Sequence, residues 1–177
     1  GIMHRDIKPD NILMSNKLVC KISDFGVSKM IWESGSDLVH QSVGTPAFMS
    51  PELCHIGAVE SHGYSDDVWA LGITLYALLM GRLPFYRDDL FELYEAIQHD
   101  ELCLKDCRAS PACQDLLRSM LDKAEPNRIS VPDMFKHPWV TDHGRDPMPP
   151  LTLTDDKAVD QVTEEDLHDA VFRISSM

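Results

Sequence analysis

The chain is 177 residues long, 44% hydrophobic, and carries a formal net charge of −13. That length supports one globular unit with a real core plus a tail. The charge excludes nucleic-acid or anionic-membrane partners, because neutralising phosphate needs clustered Lys and Arg and no basic run occurs. The longest uncharged apolar stretch, VWALGITLYALLMG at 68–81, is shorter than the ~18 residues a membrane span requires and reads as a buried helix. Five cysteines without paired spacing suit the reducing cytosol or nucleus better than a secreted disulfide scaffold. Residue 1 is Gly and the first methionine is Met3, so no signal peptide is legible and the start reads as cut.

In chain order, the opening GIMHRDIKPDNILM places His, Arg, Asp, Lys, Pro and Asn within residues 4–11, more polar function than packing demands. ILMSNKLVCKI at 12–22 sets two apolar runs around Ser15-Asn16-Lys17 and predicts a hairpin. Residues 24–52 hold Gly, Ser, Thr and Pro with little periodicity, which predicts a long surface loop of the functional kind. Ser65, followed by Asp66 and Asp67, predicts the cap and acidic first turn of a central helix that Gly81 closes. DDLFELYEAIQH at 88–99 spaces Leu90, Leu93, Tyr94 and Ile97 onto one face of an amphipathic helix.

Ser110-Pro111 opens a further helix to about Leu121, with Pro at the position where its missing N–H costs nothing. Ser130-Val131-Pro132-Asp133 is a capping box for a short helix ending near His137-Pro138. His99, Cys103, Cys107 and Cys113 are a conceivable zinc set, but without a close Cys-x-x-Cys pair they read as loop thiols. Residues 141–162 form a Pro-rich acidic linker, and TEED from Thr163 predicts the cap of a short helical tail, 163–177.

HRDIKPDN at 4–11, DFG at 24–26, SPE at 50–52 and DVWALG at 67–72 follow one another in an order that chance does not produce. Over residues 1–140 the chain resembles the catalytic half of a eukaryotic protein kinase. The resemblance implies a mostly α fold with short β-hairpins, the large carboxy-terminal lobe of the kinase. The amino-terminal lobe is absent: the sequence holds no glycine-rich loop, strand lysine, helix glutamate or hinge. The 177 residues alone are therefore expected neither to bind ATP tightly nor to transfer phosphate, since both lobes supply the positioning and electrostatics. Apolar cleft surface is expected to be exposed, a liability for aggregation.

The resemblance also implies site roles, with ATP and Mg2+ as cofactors and protein substrates as partners. Asp6 accepts the substrate hydroxyl's proton, Asn11 and Asp24 hold magnesium, and Lys8 offers a charge near the transferred phosphate. Leu13 forms the adenine floor, Ser23 sits beside the metal-binding Asp24, and Thr45 ties Asp6 and Lys8 to the substrate platform. Lys8 followed by Pro9 resembles the serine/threonine kinases and not the tyrosine-specific branch.

His4 and Phe25 are expected to be packed, Asp67 to accept from the catalytic-loop backbone, and Glu52 and Arg128 to form a buried ion pair. Arg5 next to Asp6 marks the class in which arginine pairs a phosphate or acidic group on the loop, and Ser34, Ser36 and Ser42 are phosphosite candidates by position.

VGTPAFMSPE, MLDKAEPNRISVPDMFKHPWV and HPWVTDHGRDPMPP are similar to the calcium/calmodulin-dependent protein kinase kinases, as is VTEEDLHDAV. Such a relative would phosphorylate activation-loop threonines of downstream kinases, including AMP-activated protein kinase. Two departures stand out. Ser50 replaces the usual Ala before Pro-Glu, a change a small surface residue tolerates. TEEDLHDAVFRISSM is acidic and carries only Arg173, which places any calmodulin site beyond Met177. Two other readings remain open: a catalytically inactive kinase-lobe binding module, and a serine/threonine kinase of another subgroup.

Overall fold

Helix α1, Gly63–Met80, is the element on which the rest is assembled. The computed structural model describes residues 2–30, 38–39, 44–55 and 61–149. Val68, Trp69, Ala70, Gly72, Ile73, Thr74 and Tyr76 of α1 are all buried, so this helix is covered on nearly every side rather than along one stripe. Its C-terminus ends as expected: Gly81 adopts φ 66 and its N–H bonds the Ala77 carbonyl at 2.9 Å. Its N-terminus differs from expectation. The helix starts at Gly63 with His62 in the cap position, and the hydroxyl of Ser65 accepts instead from Arg128 Nη1 at 3.1 Å. Both acidic residues that follow are drawn into long-range contacts.

Helices α2, Leu90–His99, and α3, Pro111–Met120, pack against α1. Asp89 caps α2 by accepting from the N–H groups of Phe91 and Glu92, and Ser110 caps α3 by accepting from Cys113 at 3.2 Å. Leu93, Ala96 and Ile97 carry the buried face of α2, whereas Leu90, expected on that face, is exposed one turn earlier. Trp69, Ile73, Tyr76 and Phe85 join Leu93, Ile97, Leu117 and Leu121 in the main core, each full burial worth about 1.5–3 kcal/mol. A smaller cluster of Val68, Leu116 and Met120 continues toward α4, Val131–Met134. Ser130 caps α4 as the capping box predicts, accepting from Asp133 at 3.3 Å.

Gly72 is where α1 and α3 meet most closely. A Cβ there would lie 2.8 Å from a methyl of Leu121 and 3.1 Å from Met120 Cβ. Overpacking costs about 1–3 kcal/mol, and the helix propensity of Ala returns at most about 1 kcal/mol. Gly72→Ala is therefore expected to destabilise the protein by about 1–2 kcal/mol, read as a lower urea midpoint at unchanged m value.

The β structure is sparse. The predicted hairpin is present, with β2, Ile12–Met14, antiparallel to β3, Cys20–Ile22, and Ile12 opposite Ile22. Its turn uses Ser15 as expected, accepting from the N–H groups of Lys17 and Val19, but the left-handed residue is Leu18 at φ 60 and not Asn16. The other two ladders join distant segments and are not hairpins: β1, Ile2–Met3, pairs with β4, Lys29–Met30, and β5, Leu38–Val39, with β6, Ser61–His62. The architecture is the mostly helical kinase-lobe type that the motifs imply. No helix among the described residues is long and apolar enough to cross a membrane.

Apolar surface is exposed as expected. Leu13, Met14 and Ile22 of the hairpin are open, and a groove of about 1050 Å3 runs beside the catalytic loop between Ile2, Phe25, Leu71 and Ile129.

Candidate active site

The catalytic loop is shaped from below by α1. Asp67 accepts from the backbone N–H of His4 at 2.7 Å and of Arg5 at 2.8 Å. These bonds hold Arg5 at φ 67, a left-handed conformation that costs a non-glycine residue about 1–3 kcal/mol and persists only when its surroundings enforce it. Burial pushes the Asp67 carboxyl up, and the two N–H bonds pull it back. Arg5 itself donates from Nε to the Val27 carbonyl at 2.6 Å, tying the loop to the segment after DFG.

Asp6 then lies at the centre of a closed set of donors. Its Oδ2 accepts from Lys8 Nζ at 2.7 Å and Asn11 Nδ2 at 3.1 Å, and its Oδ1 from the Thr45 hydroxyl at 2.9 Å and Thr45 N–H at 3.2 Å. Lys8 Nζ also donates to Thr45 Oγ1 at 2.9 Å, which completes the ring Asp6, Lys8, Thr45. Burial alone would raise the Asp6 carboxyl. The hydrogen bonds from Lys8, Thr45 and Asn11, with the charge of Lys8, outweigh it and hold the group below its ordinary range. Lys8 is raised, chiefly by its bond to Asp6 and then by the charges of Asp6, Asp10 and Asp24. Thr45 reaches this position because Gly44, at φ 117, passes so close to the catalytic loop that a Cβ would lie 2.6 Å from the Arg5 carbonyl oxygen.

Asn11 is buried, and its Nδ2 also donates to the Asp6 carbonyl at 2.8 Å. Its amide oxygen has no hydrogen-bond partner among the described residues. Asp24 sits at φ 62 with an exposed carboxylate whose Oδ1, among the described residues, accepts only from Gly26 N–H, at 3.2 Å. One amide oxygen and one carboxylate are hard donors that fit magnesium, which binds through one or two carboxylates and completes its shell with phosphate and water. Ser23, next to Asp24, is joined to Asn11 through two bonds to the Asn11 carbonyl, from N–H at 2.9 Å and from Oγ at 3.2 Å, so the segments carrying the two donors are linked at the open end of the β2–β3 hairpin. Leu13 is 57% exposed on β2.

Several structural expectations are met. His4 is buried, and Glu52 and Arg128 form a two-armed ion pair with side chains 11% and 0% exposed. Others need correction. Phe25 is 53% exposed, with its ring edge-on to His4 at 4.9 Å, because it borders the open groove instead of the core. Ser50 is no surface residue: it is 1% exposed and bonds Asp66. Cys103 and Cys107 are loop thiols, but Cys113 is buried within α3, and among the described residues no three His, Cys, Asp or Glu are grouped to hold a metal. Ser34, Ser36, Ser42 and the 163–177 tail lie outside the described residues. What the sequence reading missed is the buried trio Ser50, Asp66 and Ser61. Its one visible signal is a second aspartate before the apolar run of α1.

Comparison with known proteins agrees with this geometry. The protein kinase domain family matches residues 1–140. A calcium/calmodulin-dependent protein kinase kinase of Emericella nidulans, cmkC, is 40% identical over 173 residues, covering 98% of this chain and 33% of that protein. The calcium/calmodulin-dependent protein kinase kinase of Caenorhabditis elegans is 38% identical over 174 residues, covering 96% and 31%. The serine/threonine-protein kinase GRIK2 of Arabidopsis thaliana is 36% identical over 139 residues, covering 78% and 34%. The chain thus spans about a third of the length of these relatives. With nearly four-fifths of its length matched and the loop geometry in place, this chain belongs to the protein kinase domain family.

Proposed function

We propose that the chain is the catalytic-loop portion of a protein serine/threonine kinase, which moves the γ-phosphate of ATP onto Ser or Thr hydroxyls of protein substrates. The observation that carries this reading is the ring of Asp6, Lys8 and Thr45 with Asn11 on the second oxygen of Asp6. A hydroxyl nucleophile needs an acceptor of fixed direction, and an Asp6 held ionised by four donors supplies one. A carboxylate below its ordinary range is a weak base, so its larger contribution is to aim the hydroxyl, with the proton taken up late. Lys8 places an ammonium beside the reacting oxygens, and Thr45 keeps both groups against the substrate platform.

Magnesium-ATP, when bound, supplies the phosphoryl group and offsets its developing charge. Asn11 and Asp24 would hold the metal, with Ser23 tying the Asp24 segment to Asn11 and Leu13 against the base. The names of the relatives and the HPWVTDHG stretch support the calcium/calmodulin-dependent protein kinase kinase type, with activation-loop threonines of other kinases as substrates. Any calmodulin site then lies outside the acidic residues 163–177, and five thiols support a cytosolic or nuclear setting.

The test is to incubate the full-length protein with magnesium-ATP and activation-loop peptides and to locate the product by mass spectrometry. Phosphothreonine is expected. Phosphotyrosine, or no turnover under any condition that activates the relatives, overturns the reading. Residues 1–177 alone are expected to give no product, because half of the phosphate-binding electrostatics is missing from them.

A further inference from the structure

Two consecutive aspartates in the first turns of α1 reach different loops. Asp67 holds the backbone of His4 and Arg5, and so fixes the loop that carries Asp6. Asp66 takes the hydroxyl of Ser50 on Oδ1 at 2.5 Å and that of Ser61 on Oδ2 at 2.7 Å. Ser50 is 1%, Ser61 0% and Asp66 7% exposed, so all three polar groups are enclosed and satisfy one another. Ser50 ends the short stretch that begins with Gly44 and Thr45, and Ser61 belongs to β6, whose partner strand β5 precedes that stretch in the chain. Asp66 therefore holds the end of the Thr45 stretch directly, through Ser50, and through Ser61 the strand paired with the residues before it. A cavity of about 30 Å3 joins the two systems, lined by Asp6 and Thr45 together with Ser50 and Asp66.

We propose that Asp66, with Ser50 and Ser61, is a positioning residue for the peptide-binding platform: it sets the Thr45 to Met49 stretch against Asp6, and thereby governs how well a protein substrate docks. The proposal rests on the kinase reading above and goes beyond it, since none of the three residues touches the reacting groups.

Burial pushes the Asp66 carboxyl up to about 7, against the two serine bonds, with Glu52 raising it further and Arg128 lowering it. The charged or titratable groups around it are Glu52 from the turn after Ser50 and Arg128 from the segment after α3, with Asp67 on α1 and Arg5 and Asp6 of the catalytic loop lining the same cavity. The two protonation states differ in hydrogen bonding. An ionised Asp66 accepts from both serines. A protonated Asp66 donates to one of them, and that serine's own proton is left buried without an acceptor. The clasp is fully satisfied above the Asp66 pKa and leaves one buried serine proton unpaired below it.

The experiment measures peptide KM, ATP KM and kcat of the full-length kinase from pH 6 to 8, with a threonine peptide that has no titrating group in that range. Wild type is expected to show peptide KM rising about five- to tenfold as the pH falls, the scale of one unsatisfied buried hydroxyl. Asp66→Asn, whose amide also donates to one serine, is expected to hold the higher KM at every pH, with kcat and ATP KM within about twofold of wild type. Ser50→Ala removes one donor without stranding a proton and carries the same KM test should the Asp66 variant fail to fold. Wild-type peptide KM and pH profile in these variants overturn the clasp alone. Unimpaired turnover by Asp6→Asn in the same series overturns the kinase reading beneath it.

Discussion

Replacing Asp6 with Asn in the full-length protein is expected to lower kcat for peptide phosphorylation by about 10²- to 10⁴-fold, the contribution of a positioned acid–base group. Aspartate at this position accepts from Lys8, Asn11 and both donors of Thr45. The amide keeps the shape, has one acceptor oxygen instead of two, and turns an N–H toward a donor. Both the aim of the incoming hydroxyl and the destination of its proton are lost, while ATP KM changes little because Asp24 and Asn11 remain. Steady-state kinetics at saturating ATP checks this. An inactive docking module shows no turnover in either form, and a kcat within about threefold of wild type removes Asp6 from the chemistry.

The second large effect is on stability. Glu52 and Arg128 meet through two bonds, Nη1 to Oε1 at 2.5 Å and Nη2 to Oε2 at 2.9 Å, in a site almost closed to water. Arg128 also donates to the carbonyls of Asp122 and Ser65, and its guanidinium lies 5.1 Å from the Trp69 ring centre. One arginine thus joins the turn Pro51–Cys54, the start of α1 and the segment after α3. Glu52→Ala leaves a buried guanidinium without its counter-charge and is expected to cost about 3–5 kcal/mol in urea unfolding. Exchanging both residues for Met is expected to cost clearly less than the two single changes added together, because no charge is then left unpaired. A single change costing under about 1 kcal/mol contradicts the burial of this pair.

Legibility in the sequence followed the range of the interaction. HRDIKPDN could be read directly because catalysis requires those groups within one short loop, and their identities survive in any fold that uses them. The caps at Ser110 and Ser130 and the stop at Gly81 were equally plain, since each serine acts on backbone three residues away and the glycine's left-handed backbone closes its own last turn. Ser65 was misleading for the opposite reason: its hydroxyl serves Arg128, 63 positions along the chain. Leu90 has the right spacing for the face of α2, but it stands in the first turn, where it stays 47% exposed.

Family membership, the helical periodicities and the candidate catalytic set belong to the linear order of residues, because motif chemistry and the 3.6-residue repeat are local properties. The tie of Thr45 to Asp6 and Lys8 was implied by the family resemblance, whereas its geometry and the whole of the Ser50, Asp66 and Ser61 clasp came from tertiary structure. Burial decides whether a serine hydroxyl faces water or must find an acceptor, and burial depends on segments that only the folded chain brings together.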